Sequence, residues 1–146
     1  MAQQLIGVRI AAIYDLQAEW LEPRLAELGV SWATFQLLTT VAGAGDEPSQ
    51  IEVATELGVT AATLSESVQS HVERGLLKQS KSKSDKRVKV LSLTAKSRRT
   101  MLKIRDLVTR SEEAMVRGLL PQELSATATV LDRVRRNLES ETDAQP

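Results

Sequence analysis

The residues of this chain best equipped for chemistry are cations crowded into one short stretch. Lys78, Lys81, Lys83, Lys86, Arg87 and Lys89 stand there against the single acid Asp85. Lysines so placed neutralise phosphates and release condensed counterions on binding. Arg87 suits a narrow minor groove, where negative potential is strongest. Asp85, two positions earlier, either orients that guanidinium by a charge-assisted bond or staples the turn that carries it. Bond-making chemistry has little to work with. There is no cysteine, so disulfides, thiolate metal sites and cysteine redox sensing are excluded. One histidine, His71, rules out a His-rich metal centre and leaves little for acid–base catalysis. Gly43-Ala44-Gly45 lacks the context of a nucleotide-binding loop. The sequence therefore predicts a binding protein, not an enzyme, with no cofactor and no metal.

The net charge is zero, with 19 basic and 19 acidic residues, which by itself argues against nucleic-acid binding. Distribution matters more than the sum. Acids gather in Asp46, Glu47, Glu52 and Glu56 and again in Glu139, Glu141 and Asp143, leaving the basic stretch as a small electrostatic footprint. An apolar fraction of 42% and a charged fraction of 26% suit a folded domain. With only 3% aromatic residues the core must be built from Leu, Val, Ile and Ala, an inventory suited to helices. No apolar run approaches the roughly 20 residues of a membrane span. Met1-Ala2-Gln3-Gln4 lacks the basic flank and apolar block of a signal peptide. The expectation is a soluble, cytoplasmic protein with no membrane partner.

The elements that must position the cations are legible around them. Ser49 and Glu52 have capping-box spacing and open a short helix to Leu57, with Ile51, Ala54 and Leu57 inward. Gly58-Val59 forms a turn, Thr60 caps a second helix to Arg74, and Gly75 ends it. The period then changes: Leu76–Ser80 and Val88–Leu93 read as strands flanking a polar loop. Helix, turn, helix and hairpin make a winged helix-turn-helix, placed at 31–94, in a chain that is mainly α with a small β-wing.

Helices are expected on both sides. Ile6, Ile10, Ile13, Leu16 and Trp20 stripe a helix from about Gln3 to Leu28, which Pro23 should kink or shorten by its last turn. Ser31 caps the next, with Phe35, Leu38, Val41 and Ala42 inward. Thr94 opens a long helix to about Arg117, with Met101, Ile104, Leu107, Val108, Ala114 and Met115 on its apolar side. Pro121 opens the last, striped by Leu124, Leu131, Val134 and Leu138. Segments 3–28 and 95–139 would form a dimerisation part and 140–146 a frayed tail. A compact monomer struggles to bury all these stripes, so a symmetric homodimer is expected, presenting two reading helices to two half-sites.

Helical geometry sorts Thr60–Arg74. Leu64, Val68, His71 and Val72 share one side, with Ala61 at its edge. Thr60, Ala62, Thr63, Ser65, Glu66 and Gln69 are left to face a groove. Gln69 can bond adenine, Ala62 or Thr63 can touch a thymine methyl, and Glu66 can accept from cytosine. With no arginine to grip guanine, the helix supplies modest specificity and the wing much of the affinity.

The runs Gln50-Ile51-Glu52-Val53-Ala54-Thr55-Glu56-Leu57-Gly58-Val59, Thr63-Leu64-Ser65, Glu73-Arg74-Gly75-Leu76-Leu77, Asp85-Lys86-Arg87 and Leu91-Ser92-Leu93-Thr94 resemble the MarR family of bacterial transcriptional regulators. The wing Asp-x-Arg before a strand ending in Leu-Thr is the most specific part. The resemblance implies an obligate homodimer on palindromic double-stranded operator DNA, most often a repressor, and often released by a small phenolic or anionic ligand. It further implies that Asp85 and Arg87 are the wing pair, that Ser49 and Gln50 begin the helix steadying the DNA backbone, and that Thr63 to Glu66 belong to the reading helix. Glu66 departs from the arginine frequent there in relatives, His71 from a leucine and Ser97 from a glycine.

Tyr14, Trp20, Trp32 and Phe35 are candidates for an aromatic effector pocket, though their helical spacing equally suits a core. His71, alone on an apolar face, suits a satisfied packing residue. The leading expectation is a dimeric, sequence-specific DNA-binding regulator. The competing one is a helical dimeric protein-interaction module whose winged fold no longer binds DNA.

Overall fold

The computed structural model describes residues 5–143 as six helices and one two-stranded sheet. In chain order these are α1 (Ile6–Glu27), α2 (Trp32–Gly43), α3 (Gln50–Leu57), α4 (Ala61–Glu73), β1 (Leu77–Lys81), β2 (Lys89–Leu93), α5 (Ala95–Met115) and α6 (Pro121–Asp143). The chain divides after Ser111 into two compact units.

Helix starts follow the side chains that cap them. Ser31 Oγ accepts from Thr34 N–H and Thr60 Oγ1 from Thr63 N–H, each satisfying a donor that the helix leaves unpaired. Ser49 completes the full capping box: its Oγ accepts from Glu52 N–H at 3.1 Å while Glu52 accepts from Ser49 N–H at 2.7 Å. Gly58 ends α3 at φ 65°, a left-handed conformation that costs a side-chain-bearing residue more than glycine. Thr94 Oγ1 donates to Gly75 O at 2.7 Å and accepts from Ser97 N–H, pinning the start of α5 to the end of α4.

The winged unit is built on one cluster. Leu37, Leu38 and Val41 of α2, Val53 and Ala54 of α3, Leu64 and Val68 of α4 and Leu77 and Leu91 of the hairpin are buried together. β1 and β2 are antiparallel with Leu77 opposite Leu93 and Lys81 opposite Lys89. Leu91 N–H donates to Pro48 O at 2.9 Å and Ser49 bridges Val90, so the entry to α3 lies along the sheet edge. A second cluster joins the end of α1 to α5 through Leu21, Leu25, Val30 and Ile104.

Some expectations need correction. Pro23 does not end α1, which continues to Glu27 because Leu21 and Leu25 on either side are held in that second cluster. Ile51 points outward at 71% exposure; Val53, not Ile51, fills the inner face with Ala54, since the helix offers its other flank to α2 and α4. Ala42 and Val72 are exposed for the same reason of helix rotation, with Leu37 taking the inward place in α2. The first strand is displaced by one residue, to Leu77–Lys81, and the second starts one residue late, at Lys89, with its end at Leu93 as expected. Helix α5 ends at Met115, with Ala114 and Met115 exposed. Helix α6 continues to Asp143, beyond the expected start of a frayed tail at 140. Gln3 and Gln4, expected in the first helix, and residues 144–146 lie outside the described residues.

In the second unit, Glu123 accepts from Leu120 N–H at 2.8 Å ahead of α6, and Arg135 pairs with Glu139 at 2.7 Å one turn apart. No residue of α6 is buried, and Val130, Leu131 and Leu138 are exposed. The first half of α1 is likewise bare, with Ile6, Val8, Ile10, Ile13, Tyr14 and Leu16 all exposed. No helix among the described residues is long and apolar enough to cross a membrane.

Candidate nucleic-acid interface

The wing tip is shaped by its own backbone. Ser82 N–H donates to Val88 O at 2.8 Å, extending the ladder one step beyond β1. Inside the loop, Asp85 O accepts from Val88 N–H at 3.0 Å and Asp85 Oδ1 from Arg87 N–H at 2.9 Å, an aspartate turn. The carboxylate stands 3.7 Å from Arg87 Nε, an ion pair too long for a hydrogen bond. Of the two roles open to Asp85, the staple is thus the tighter. The Arg87 side chain is left 95% exposed.

Lys78, Lys81, Lys83, Lys86 and Lys89 are exposed, and among the described residues none of them makes an ion pair. Lys81 and Lys89 stand directly opposite each other across the ladder. Like charges in that relation are mutually destabilising unless an anion sits between or above them.

All six candidates on the reading helix are exposed: Thr60, Ala62, Thr63, Ser65, Glu66 and Gln69. Two are partly committed. The Thr60 hydroxyl donates to Thr63 Oγ1 at 2.9 Å while accepting from Thr63 N–H, which leaves the Thr63 hydroxyl proton free to point outward. Gln69 donates to Glu73 at 3.3 Å along the helix. No cation pairs with Glu66 among the described residues.

Ser49 and Gln50 meet the wing. Gln50 Oε1 accepts from Gln79 Nε2 at 2.6 Å, tying the first turn of α3 to β1. A cavity of about 210 Å³ is lined by Gln50, Ile51, Ala61, Arg87, Val88 and Lys89, so the starts of α3 and α4 and the wing base share one concave surface. The Ser49 hydroxyl is occupied by the cap, and the Ser49 backbone N–H donating to the Glu52 carboxylate, with the Ser49 side chain second, holds that acid below its ordinary pKa. Sequence reading missed Gln79; its alternation with buried Leu77 was the available signal, since both occupy one face of β1.

The aromatic group is only partly brought together. Trp32 lies 5.0 Å from Phe35 and 6.1 Å from Tyr14 between ring centroids, with Trp32 and Phe35 packed against the second cluster. Trp20 packs against the same cluster and also carries the Arg24 guanidinium 3.9 Å above its ring, while Tyr14 stays exposed. A different cavity, of about 340 Å³, lies between α2 and α5, lined by Thr39, Met101, Leu102, Ile104, Arg105 and Val108.

Comparison with known proteins agrees with this geometry. Residues 28–88 match the model of the MarR family. The crystal structure of transcriptional regulator PA3341 superposes with a TM-score of 0.84 at 27% identity, covering 93% of this chain and 99% of that one. The regulator SlyA gives 0.79 at 22% identity over 93% and 95% of the two chains. A mutant MarR from E. coli in complex with operator DNA gives 0.75 at 20% identity over 88% and 92%. With the capped helix pair and the Asp85–Arg87 wing in place, the chain has a winged-helix fold similar to that of these regulators, and its residues 28–88 match the MarR family.

Proposed function

We propose that this protein is a dimeric, sequence-specific DNA-binding transcriptional regulator, acting as a repressor and released by a small amphipathic anion. The observation that carries the reading is the cationic hairpin beside two capped helix starts, above all Lys81 directly opposite Lys89, neither of them in an ion pair among the described residues. Phosphates relieve that repulsion and release their own counterions. The positive end of the α3 dipole, next to Gln50 and Arg87, favours the same anionic backbone. The exposed stripes of α1 and α6 support a homodimer, since each leaves apolar area that a second copy can bury. For the effector, the cavity of about 340 Å³ supports a small ligand with an apolar body, and Arg105 in its lining supports an anionic group. Nothing in the arrangement calls for catalysis, and a cytoplasmic location fits a regulator of transcription.

Exposed Glu66 favours the competing protein-interaction module, because its charge repels phosphates where the reading helix approaches them. One experiment separates the two: binding to the DNA upstream of the protein's own gene across a salt series, for wild type and Arg87→Ala. Steep salt dependence and a marked loss in the variant are expected of the regulator. Absent or salt-insensitive binding identifies the module.

A further inference from the structure

A polar chain, buried at Thr34 and His71, runs beneath the exposed side of α4. Ser31 Oγ donates to Thr34 Oγ1 at 2.9 Å, and Thr34 Oγ1 lies 2.9 Å from His71 Nε2. On its other side the ring places Nδ1 2.6 Å from Ser67 O. A carbonyl can only accept, so the hydrogen belongs on Nδ1, and Nε2 accepts from the Thr34 hydroxyl. Ser31 Oγ meanwhile accepts from Thr34 N–H, so every member has a partner. Thr34 is 2% exposed and His71 6%.

The position of this chain gives it a use beyond packing. His71 shares the buried side of α4 with Leu64 and Val68, while Thr34 and Ser31 belong to the start of α2. Apolar contacts through Leu64 and Val68 hold the helix down, but hydrophobic burial is not itself directional and so sets the rotation less sharply than a hydrogen bond does. The Thr34–His71 bond is directional, and breaking it strands a buried hydroxyl. A helix with side chains is about 10–12 Å across, so a 20° rotation moves the tips of the outward side chains by about 2 Å. That is enough to break base-edge hydrogen bonds while leaving the long, flexible wing lysines on their phosphates.

We propose that His71 is a positioning residue for sequence reading, indexing the rotation of α4 against α2 through Thr34. The proposal rests on the DNA-binding reading above. The test uses the full chain and two duplexes of equal length, one selected by the wild-type protein from a randomised library and one of random sequence, with thermal unfolding followed in parallel. His71→Leu and the near-isosteric Thr34→Val are expected to lower the selected-to-random affinity ratio about tenfold, the scale of a lost base contact, with random-duplex affinity unchanged. His71→Gln, whose Oε1 can replace Nε2 as acceptor, is expected to restore most of the ratio. The double variant Thr34→Val/His71→Leu should lose no more than either single one, because both remove the same bond. Equal weakening on both duplexes makes the chain merely structural and overturns the proposal, and so does an unchanged ratio in both single variants. Should His71→Leu fail to fold, Thr34→Val decides alone. A wild-type protein with no preference between duplexes sinks the regulator reading and this inference with it, whereas a discriminating wild type with unaffected variants sinks the inference only.

Discussion

Asp85 accepts a 2.9 Å hydrogen bond from the backbone N–H of Arg87, while its carboxylate stays 3.7 Å from the same residue's Nε. The acid therefore shapes the loop more than it holds the guanidinium, and the two residues should respond differently to substitution. Arg87→Ala should leave the fold intact, weaken DNA binding and reduce the salt slope by about 1, the share of one phosphate. Asp85→Asn keeps a side-chain acceptor for the turn and should bind within a few-fold of wild type, whereas Asp85→Ala loosens the tip and should bind more weakly than Asn. Fluorescence anisotropy across a salt series checks all three, and equal losses for Asn and Ala would argue against the staple.

Glu66 opposes the phosphates that the wing attracts. Glu66→Gln is expected to tighten binding to operator and random duplexes alike by a few-fold at low salt, with the gain shrinking as salt screens the charge. A gain confined to one sequence would instead mark Glu66 as a base reader.

The capping box of α3 can be tested by stability. Ser49→Ala removes the acceptor for Glu52 N–H and should cost about 1 kcal/mol in chemical denaturation. The same box predicts a pH effect of definite sign. Glu52 titrates below its ordinary value because it accepts from Ser49 N–H and bonds the Ser49 side chain. Its contribution is therefore present above the ordinary carboxylate pKa and fades as pH falls through the lowered value. Glu52→Gln should flatten that part of the acid limb, as read from denaturation midpoints below pH 5.

Ile51 and Leu64 make a contrasting pair. Leu64 is 2% exposed within the main cluster, so Leu64→Ala should cost about 2–5 kcal/mol through lost burial and a cavity. Ile51, 71% exposed, should change stability by no more than about 0.5 kcal/mol on truncation to Ala. A large stability loss at Ile51 would contradict its outward placement on α3.

The bare stripe of α1 carries the dimer prediction. Ile10→Asp/Ile13→Asp is expected to shift sedimentation at micromolar concentration from dimer to monomer and to weaken operator binding at least tenfold, by uncoupling two half-sites. A wild-type protein that sediments as a monomer there would remove the basis for this assembly.

The sequence by itself determined whatever depends on neighbours along the chain. Ser49, Thr60 and Ser31 were readable as caps because an N-cap bonds a backbone group only a few residues away. The charge of the wing was readable because exposed lysines need no partner to be recognised. The order of the winged unit and the bounds of α3 and α4 followed from the same local signals, within a residue at the ends, whereas α6 runs four residues past its expected end at 139.

Only the tertiary structure decided matters of rotation and partnership. Ile51 and Val53 both fit an inward place by type, and the packing of α3 against α2 and α4 chose Val53. Pro23 ought locally to kink its helix or split off the last turn, but the helix runs on to Glu27, with Leu21 and Leu25 buried on either side of the proline. Gln50 and Gln79 are 29 positions apart, and Thr34 and His71 are 37 apart. No local period announces such pairs, because a directional bond between distant side chains exists only once the surrounding core has fixed both backbones.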